Sequence, residues 1–307
     1  MSSLLQGRNL ISINDLSKSE LLKVLKFSKK FKEKSFPELL QKYILANCFF
    51  EPSTRTRLSF ETAMLRCGGK VIGFSDVKST SIEKKESLSD SIKVVSKYAD
   101  IIAIRHPYEG SALQAAEASS VPVINAGDGA NQHPTQTLID LFSILETQDT
   151  LENLSIAIVG DLKYARTVHS LVTALALFKA RLFFISPEML TLPEEIITII
   201  KKRGIKFSFH KTLDDVIAKL DILYMTRIQE ERLSSNEELT IKNNCTLKMH
   251  HLQSVKKNFR VLHPLPRVDE IETTIDQTPY AYYFTQAENG IYIRQALLAL
   301  ILKEADL

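Results

Sequence analysis

Short apolar runs of strand length alternate with helical patterns along nearly all of this chain of 307 residues. The runs fall at 43–50, 70–74, 100–104, 121–125, 155–159, 181–185, 205–209, 221–225 and 260–262. Between them apolar residues recur at helical spacing, as at Leu21, Leu22, Val24, Leu25 and Phe31, and helices are expected at 193–203, 213–220 and 281–302. Parallel strands need crossover connections, and those helices cover both faces of the sheet. The chain exceeds one typical domain, and the pattern restarts after a join between Pro134 and Thr150. The expected fold is therefore α/β, with two doubly wound domains. Each has a mostly parallel sheet flanked by helices, and the active site lies in the cleft between them. The expected division is 1–134 plus a C-terminal helix 286–307, and 135–285. Polar clusters stand just after strands, at Glu51, Arg105, Gly127, Gly160, Thr226 and His263. Open α/β sheets bind ligands there, outside the carboxyl ends of the strands.

Charge excludes some partners. Lys and Arg number 39 against 36 Asp and Glu, a net charge of +3. Nucleic acid or an anionic membrane surface calls for concentrated positive charge, so neither is an expected partner. Any anion must be held by local placement of Arg and Lys. No apolar stretch approaches the roughly 20 residues that span a bilayer. Cys48, Cys67 and Cys245 are sparse and odd in number, without metal-ligand spacing. They fit a reducing, cytoplasmic setting rather than a disulfide framework or a zinc site.

The most chemically specific stretch is Glu51-Pro52-Ser53-Thr54-Arg55-Thr56-Arg57, between a strand and a helix. At a helix N-terminus the first backbone N–H groups lack intrahelical partners, and the dipole favours negative charge. Hydroxyls at Ser53, Thr54 and Thr56 and the guanidinium of Arg55 make a cradle suited to phosphate. The same residues also serve as an ordinary helix cap. Arg105 and His133 each read alone as a salt-bridge partner and a packed ring. At one sheet edge with the cradle, and with Gln136 beside them, they surround an anion. In the second half, Arg166 and Arg227 stand on separate loops. They suit either a dicarboxylate, each gripping one end, or two unrelated surface ion pairs. Gly160-Asp161 lacks GxGxxG, and GxxxxGK[ST] and GxSxG are absent, which removes NAD, P-loop and serine-hydrolase readings. His250-His251 has no third ligand at metal spacing, so neither metal nor cofactor is expected.

Together these motifs resemble the aspartate carbamoyltransferase family, catalytic chain. They are Phe50 to Arg57, Arg105-His106-Pro107, His133-Pro134-Thr135-Gln136, Val159 to Lys163, Arg166 to Ser170, Tyr224 to Gln229 and His263-Pro264-Leu265-Pro266-Arg267, in the family order. Ornithine carbamoyltransferases share the first elements. They carry Ser-Met-Gly and His-Cys-Leu-Pro elements that do not occur here. The resemblance implies transfer of a carbamoyl group from carbamoyl phosphate to L-aspartate, an early step of pyrimidine synthesis. It makes the first domain the carbamoyl phosphate-binding one and the second the aspartate-binding one. Ser53, Thr54, Arg55, Thr56, Arg105, His133 and Gln136 would hold carbamoyl phosphate, with Thr56, Arg105 and His133 near its carbonyl oxygen. The backbone at Leu265-Pro266 would close over the substrates. Arg166, Thr167, Arg227 and Gln229 would bind aspartate.

The resemblance also implies a homotrimer with shared sites, in which Ser81 and a lysine enter from the neighbouring subunit. Some relatives assemble further with a separate zinc-containing regulatory chain. The usual Lys-Lys-Gly-Glu element is one residue short here: Ser81-Ile82-Glu83-Lys84-Lys85-Glu86. Counting forward from Ser81 makes Lys85 the active lysine, which also contacts aspartate. Counting back from Glu86 chooses Lys84 and puts Lys85 where glycine is usual. The forward count keeps both lysines and is the expected one. The charged stretch 230–244 is expected to be a mobile loop with some helix.

Overall fold

The structure, a computed structural model, describes residues 5–75, 85–228 and 245–303. Ser81, Lys84, Gln229 and the stretch 230–244 lie outside the described residues. The chain forms two compact units, Met1–Phe142 with Glu288–Leu307, and Ser143–Ala287.

The first unit begins with helix α1, Lys18–Glu33. Ser17 caps it reciprocally: its hydroxyl accepts from the Glu20 N–H, and the Glu20 carboxylate accepts from the Ser17 N–H at 2.7 Å. The apolar spacing seen in the sequence buries Leu21, Val24, Leu25 and Phe31. Strands β1 (Ile44–Phe49), β2 (Lys70–Phe74), β3 (Ile101–His106) and β4 (Val123–Asp128) form one sheet, in the order β2-β1-β3-β4. Every pairing in it is parallel. Helices α2 (Thr54–Arg66), α3 (Leu88–Val95) and α4 (Ser111–Ala118) make the crossovers. Ala46, Cys48, Ile102, Ile104 and Val123 from the strands pack with Ile92, Ala112 and Ala115 from the helices in a core cluster.

Helix α5, Pro134–Gln148, follows β4. The second unit holds β5 (Ser155–Val159), β6 (Arg181–Ile185), β7 (Phe207–His210), β8 (Ile222–Met225) and β9 (Arg260–Leu262), with α6 (Arg166–Leu175) and α7 (Glu194–Lys202). Its sheet runs β7-β6-β5-β8-β9 and is also parallel throughout. Helix α8, Tyr283–Leu302, ends the pattern.

One expected helix is a different object. Residues 213–220 form turns and a 3-10 segment at Ile217–Lys219. Leu213, Val216, Ile217 and Leu220 are nonetheless all buried. Spacing i, i+3, i+4, i+7 located the buried side chains correctly. The Asp215 carboxylate accepts the Thr212 N–H as at a helix start, but the N–H groups of Val216, Lys219 and Leu220 then donate to the carbonyls three residues back, the tighter 3-10 pattern.

Candidate active site

In each sheet the order reverses at one place, where successive crossovers go to opposite sides. In the first unit that place lies between β1 and β3, and in the second between β5 and β8. A crevice opens at such a switch point, outside the strand carboxyl ends. The Glu51 and Arg105 clusters stand at the first switch point and the Gly160 and Thr226 clusters at the second; the Gly127 and His263 clusters stand at the ends of the next strands out, β4 and β9.

At the first switch point the Phe50 N–H donates to the Arg105 carbonyl at 2.8 Å, which holds the ends of β1 and β3 together. Ser53 then takes an extended conformation as N-cap of α2, but its hydroxyl makes no capping hydrogen bond. The simple cap reading of Ser53 is therefore not what the side chain does. Thr54 and Arg55 are exposed, Thr56 is buried, and all three lie in the first turn, whose amides lack intrahelical partners. Arg55 makes no ion pair among the described residues.

Arg105, at the end of β3, is mostly buried, and its Nε lies 2.7 Å from Glu51 Oε1. A second nitrogen donates to the Ala126 carbonyl at 3.3 Å. Glu51 carries no role in the sequence reading beyond ending a strand. Its position five residues before Thr56, beside a candidate phosphate-binding arginine, was the available signal.

His133 is 4% exposed. The loop that delivers it is organised by Asp128, which is fully buried. The Asp128 carboxylate accepts from the amides of Asn125 (2.8 Å) and Asn131 (3.1 Å) and from the N–H groups of Gly110 (3.1 Å) and Gln132 (3.2 Å). A buried carboxylate is tolerated because this many donors satisfy it. The His133 carbonyl accepts from the N–H groups of Gln136 and Thr137, so α5 starts immediately after it. The Gln136 amide donates to Asp140 at 2.8 Å, one turn further on.

In the second unit, Gly160 ends the central strand with φ +116°. A Cβ there would stand 2.3 Å from the Thr226 carbonyl oxygen, so only glycine lets the ends of β5 and β8 approach this closely. Asp161 follows, and its carboxylate accepts from the N–H groups of Lys163 (3.0 Å) and Tyr164 (2.9 Å). This turn sets Arg166 and Thr167 at the first positions of α6. Arg166 and Arg227 are both half-buried. A cation at a helix N-terminus is disfavoured by the dipole and relieved by an anion, which suits Arg166 to a carboxylate ligand.

The loop after β9 is pinned by a buried pair. His263 Nδ1 accepts the Leu265 N–H at 2.7 Å, so Nε2 carries the ring proton and donates to Glu270 at 2.6 Å. Glu270 also accepts the Val268 N–H at 3.0 Å. Leu265 takes φ +55°, and the Leu265–Pro266 peptide is cis. Burial alone would raise the Glu270 pKa, but the hydrogen bonds from His263 and from the Val268 amide bring it below the ordinary 4.5. A lowered carboxylate contributes stability above its ordinary pKa that is lost as pH falls through the lowered one. Urea midpoints of the wild type should therefore fall more steeply below about pH 4.5 than those of Glu270→Gln. Parallel curves would remove this assignment.

Lys85 is exposed, with φ +69°. Asp214 brings a third potential ligand within 4.8 Å of His250 and His251, which the sequence spacing did not reveal. His251 is already committed, however. Its Nδ1 accepts the Lys248 N–H at 3.0 Å, which leaves the proton on Nε2, facing Asp214 at 3.7 Å.

The fold and these clusters define a two-unit α/β protein with an anion cradle at the switch point of one sheet and a pair of arginines at that of the other. Two family models match nearly the whole chain. "Aspartate/ornithine carbamoyltransferase, carbamoyl-P binding domain" covers residues 8–146, and "Aspartate/ornithine carbamoyltransferase, Asp/Orn binding domain" covers 152–301. The chain belongs to the aspartate/ornithine carbamoyltransferase family. It is 55% identical over 303 residues to aspartate carbamoyltransferase catalytic subunit 2 of Shewanella halifaxensis, covering 98% of each. Among solved structures, the catalytic subunit of M. jannaschii aspartate transcarbamoylase matches with a TM-score of 0.90. That match has 50% identity and covers 95% of this chain and 97% of that one. Aspartate transcarbamoylase from Trypanosoma cruzi, in complex with carbamoyl phosphate and aspartate, matches with a TM-score of 0.92. Identity is 34%, covering 98% and 97%. Among the described residues, no helix is long and apolar enough to cross a membrane.

Proposed function

We propose that this chain transfers the carbamoyl group of carbamoyl phosphate to the amine of L-aspartate, giving N-carbamoyl-L-aspartate and phosphate for pyrimidine synthesis. The observation that carries the reading is the shared sheet edge of the first unit. The α2 N-terminus with Arg55, the end of β3 with Arg105 and the loop after β4 with His133 all stand on its carboxyl side. The near full-length likeness to aspartate carbamoyltransferases supports the choice of acceptor.

Carbamoyl phosphate is already activated, so no covalent enzyme nucleophile is needed. The aspartate amine attacks the carbamoyl carbon, an oxyanion develops, and the bond to phosphate breaks as the departing phosphate takes up the amine proton. Ser53, Thr54, Arg55 and Gln136 hold the phosphate. Thr56, Arg105 and His133 donate to the developing oxyanion, where fixed donors contribute most. Arg166, Thr167 and Arg227, with Gln229, hold the aspartate carboxylates, and the Leu265-Pro266 backbone completes the enclosure. Fixing two reactants together converts an encounter into a unimolecular step. The protein works in the cytoplasm as a homotrimer, with Ser81 and one lysine supplied by the neighbouring subunit. A separate regulatory chain is a further partner in some relatives. Purified protein should form carbamoyl aspartate and use aspartate far better than ornithine. No product, or a preference for ornithine, would overturn the reading.

The left-handed backbone of Lys85 bears on the shared lysine. Glycine adopts φ +69° at little cost and lysine does not. This supports the backward count, in which Lys85 replaces the usual glycine and Lys84 is the active lysine. Lys84→Gln is then expected to lower kcat by about 10²-fold or more, as loss of one transition-state donor does. Lys85→Gly should leave kcat within about twofold and, by relieving strain at φ +69°, raise the Tm slightly. The reverse pattern in steady-state assays would restore Lys85.

A further inference from the structure

Arg294, on α8, is 2% exposed and has no carboxylate partner among the described residues. Its guanidinium stacks on the Phe60 ring at 4.7 Å and donates to the Gly290 carbonyl at 3.2 Å. Its other terminal nitrogen lies 3.3 Å from Thr135 Oγ1. Burial, and then the like charge of Arg105, push its pKa down to about 9. It therefore remains a cation at neutral pH and can only donate.

That restriction propagates. Thr135 is fully buried, and its hydroxyl has two partners, Arg294 and His133 Nδ1 at 3.4 Å. Thr135 Oγ1 must accept from Arg294. Its single proton then has one acceptor available, His133 Nδ1. The other assignment puts a proton on Nδ1 and points it at Oγ1. The Thr135 proton would then be buried without an acceptor, a penalty that biases the tautomers by on the order of tenfold or more. The 3.4 Å separation is long for such a bond, as catalytic hydrogen bonds often are before substrate is present.

We infer that Thr135 and Arg294 are positioning residues that hold His133 as the Nε2–H tautomer, so that a neutral imidazole offers an N–H donor to the carbamoyl oxygen. The role of that donor rests on the function proposed above; the tautomer does not. Neither residue carries a role in the sequence reading. Thr135 enters it only as a letter of His-Pro-Thr-Gln, and Arg294 is 159 positions away from it.

The test uses full-length protein labelled with 15N-histidine, with the His133 signals assigned by their loss in His133→Asn. The expected spectrum has an unprotonated Nδ1 and a proton coupled to Nε2. Thr135→Val should shift both nitrogens towards averaged tautomer values. It should also lower kcat by about tenfold or more, with the aspartate KM within about twofold. Thr135→Ser should restore both spectrum and kcat. A protonated Nδ1 in the wild type would overturn the inference, whatever the variants do. So would a Thr135→Val spectrum identical to the wild type. Failure of the wild type to make carbamoyl aspartate would count against the function alone, because the tautomer is read without turnover.

Discussion

Arg55→Ala is expected to lower kcat by about 10³-fold while the Tm moves by no more than a few degrees. The first half follows from chemistry. A guanidinium at the α2 N-terminus adds a fixed cation to a turn of unpaired amides, and removing one such preorganised donor costs about 10²–10³ in rate. Loss of the bidentate grip on a dianion adds to that. The second half follows from the structure. Arg55 is exposed and makes no ion pair among the described residues, so the folded protein loses little. Thermal unfolding and a carbamoyl aspartate assay on the same preparation separate the two. Near-normal turnover in a folded variant would remove Arg55 from the phosphate site. Arg105→Ala would be a less clean experiment, because it also strips Glu51 of the cation 2.7 Å from its carboxylate.

Arg227→Ala should act on the other substrate. Two charge-assisted hydrogen bonds to a carboxylate contribute about 1.5–3 kcal/mol each, net of exchange with water. At 1.4 kcal/mol per factor of ten, the aspartate KM should rise by about 10²–10⁴-fold. Affinity for carbamoyl phosphate should hardly change, since its proposed contacts all lie in the first unit apart from the Leu265-Pro266 backbone. Arg227→Lys should recover only part of the loss, because an ammonium cannot grip both oxygens in one plane. Steady-state kinetics with each substrate varied in turn give both numbers. An equal loss for the two substrates would mean that Arg227 supports the fold rather than aspartate.

Much of this was legible without a structure. The alternation of apolar runs and helical patterns marked each strand, and the strand ends marked where polar residues gather. The error at 213–220 is instructive. Leu213, Val216, Ile217 and Leu220 are buried as expected, yet turns and a 3-10 segment present them. Periodicity reports which side chains leave water, and several backbones satisfy one burial pattern. The lysine proposed to be shared between subunits shows a different limit. Counting residues favours Lys85, whereas the left-handed backbone at that position supports the Lys84 alternative. A count carries no φ.

What the sequence determined by itself was local: the order of strands and helices, the helix start at Ser53 to Thr56, and the placement of Arg105, His133, Arg166 and Arg227 at strand ends or helix starts. These follow from side-chain periodicity and from backbone preferences within a few residues. The tertiary structure decided which strand ends are neighbours. Orders β2-β1-β3-β4 and β7-β6-β5-β8-β9 put β1 beside β3 and β5 beside β8, and so made pairs of clusters that lie tens of residues apart. It also decided the partners that tune the site: Glu51 on Arg105, Asp128 under the His133 loop, and Arg294 behind Thr135. A buried donor or acceptor must find its partner wherever the packed chain brings one. That requirement sets no distance along the sequence, so no local pattern announces it.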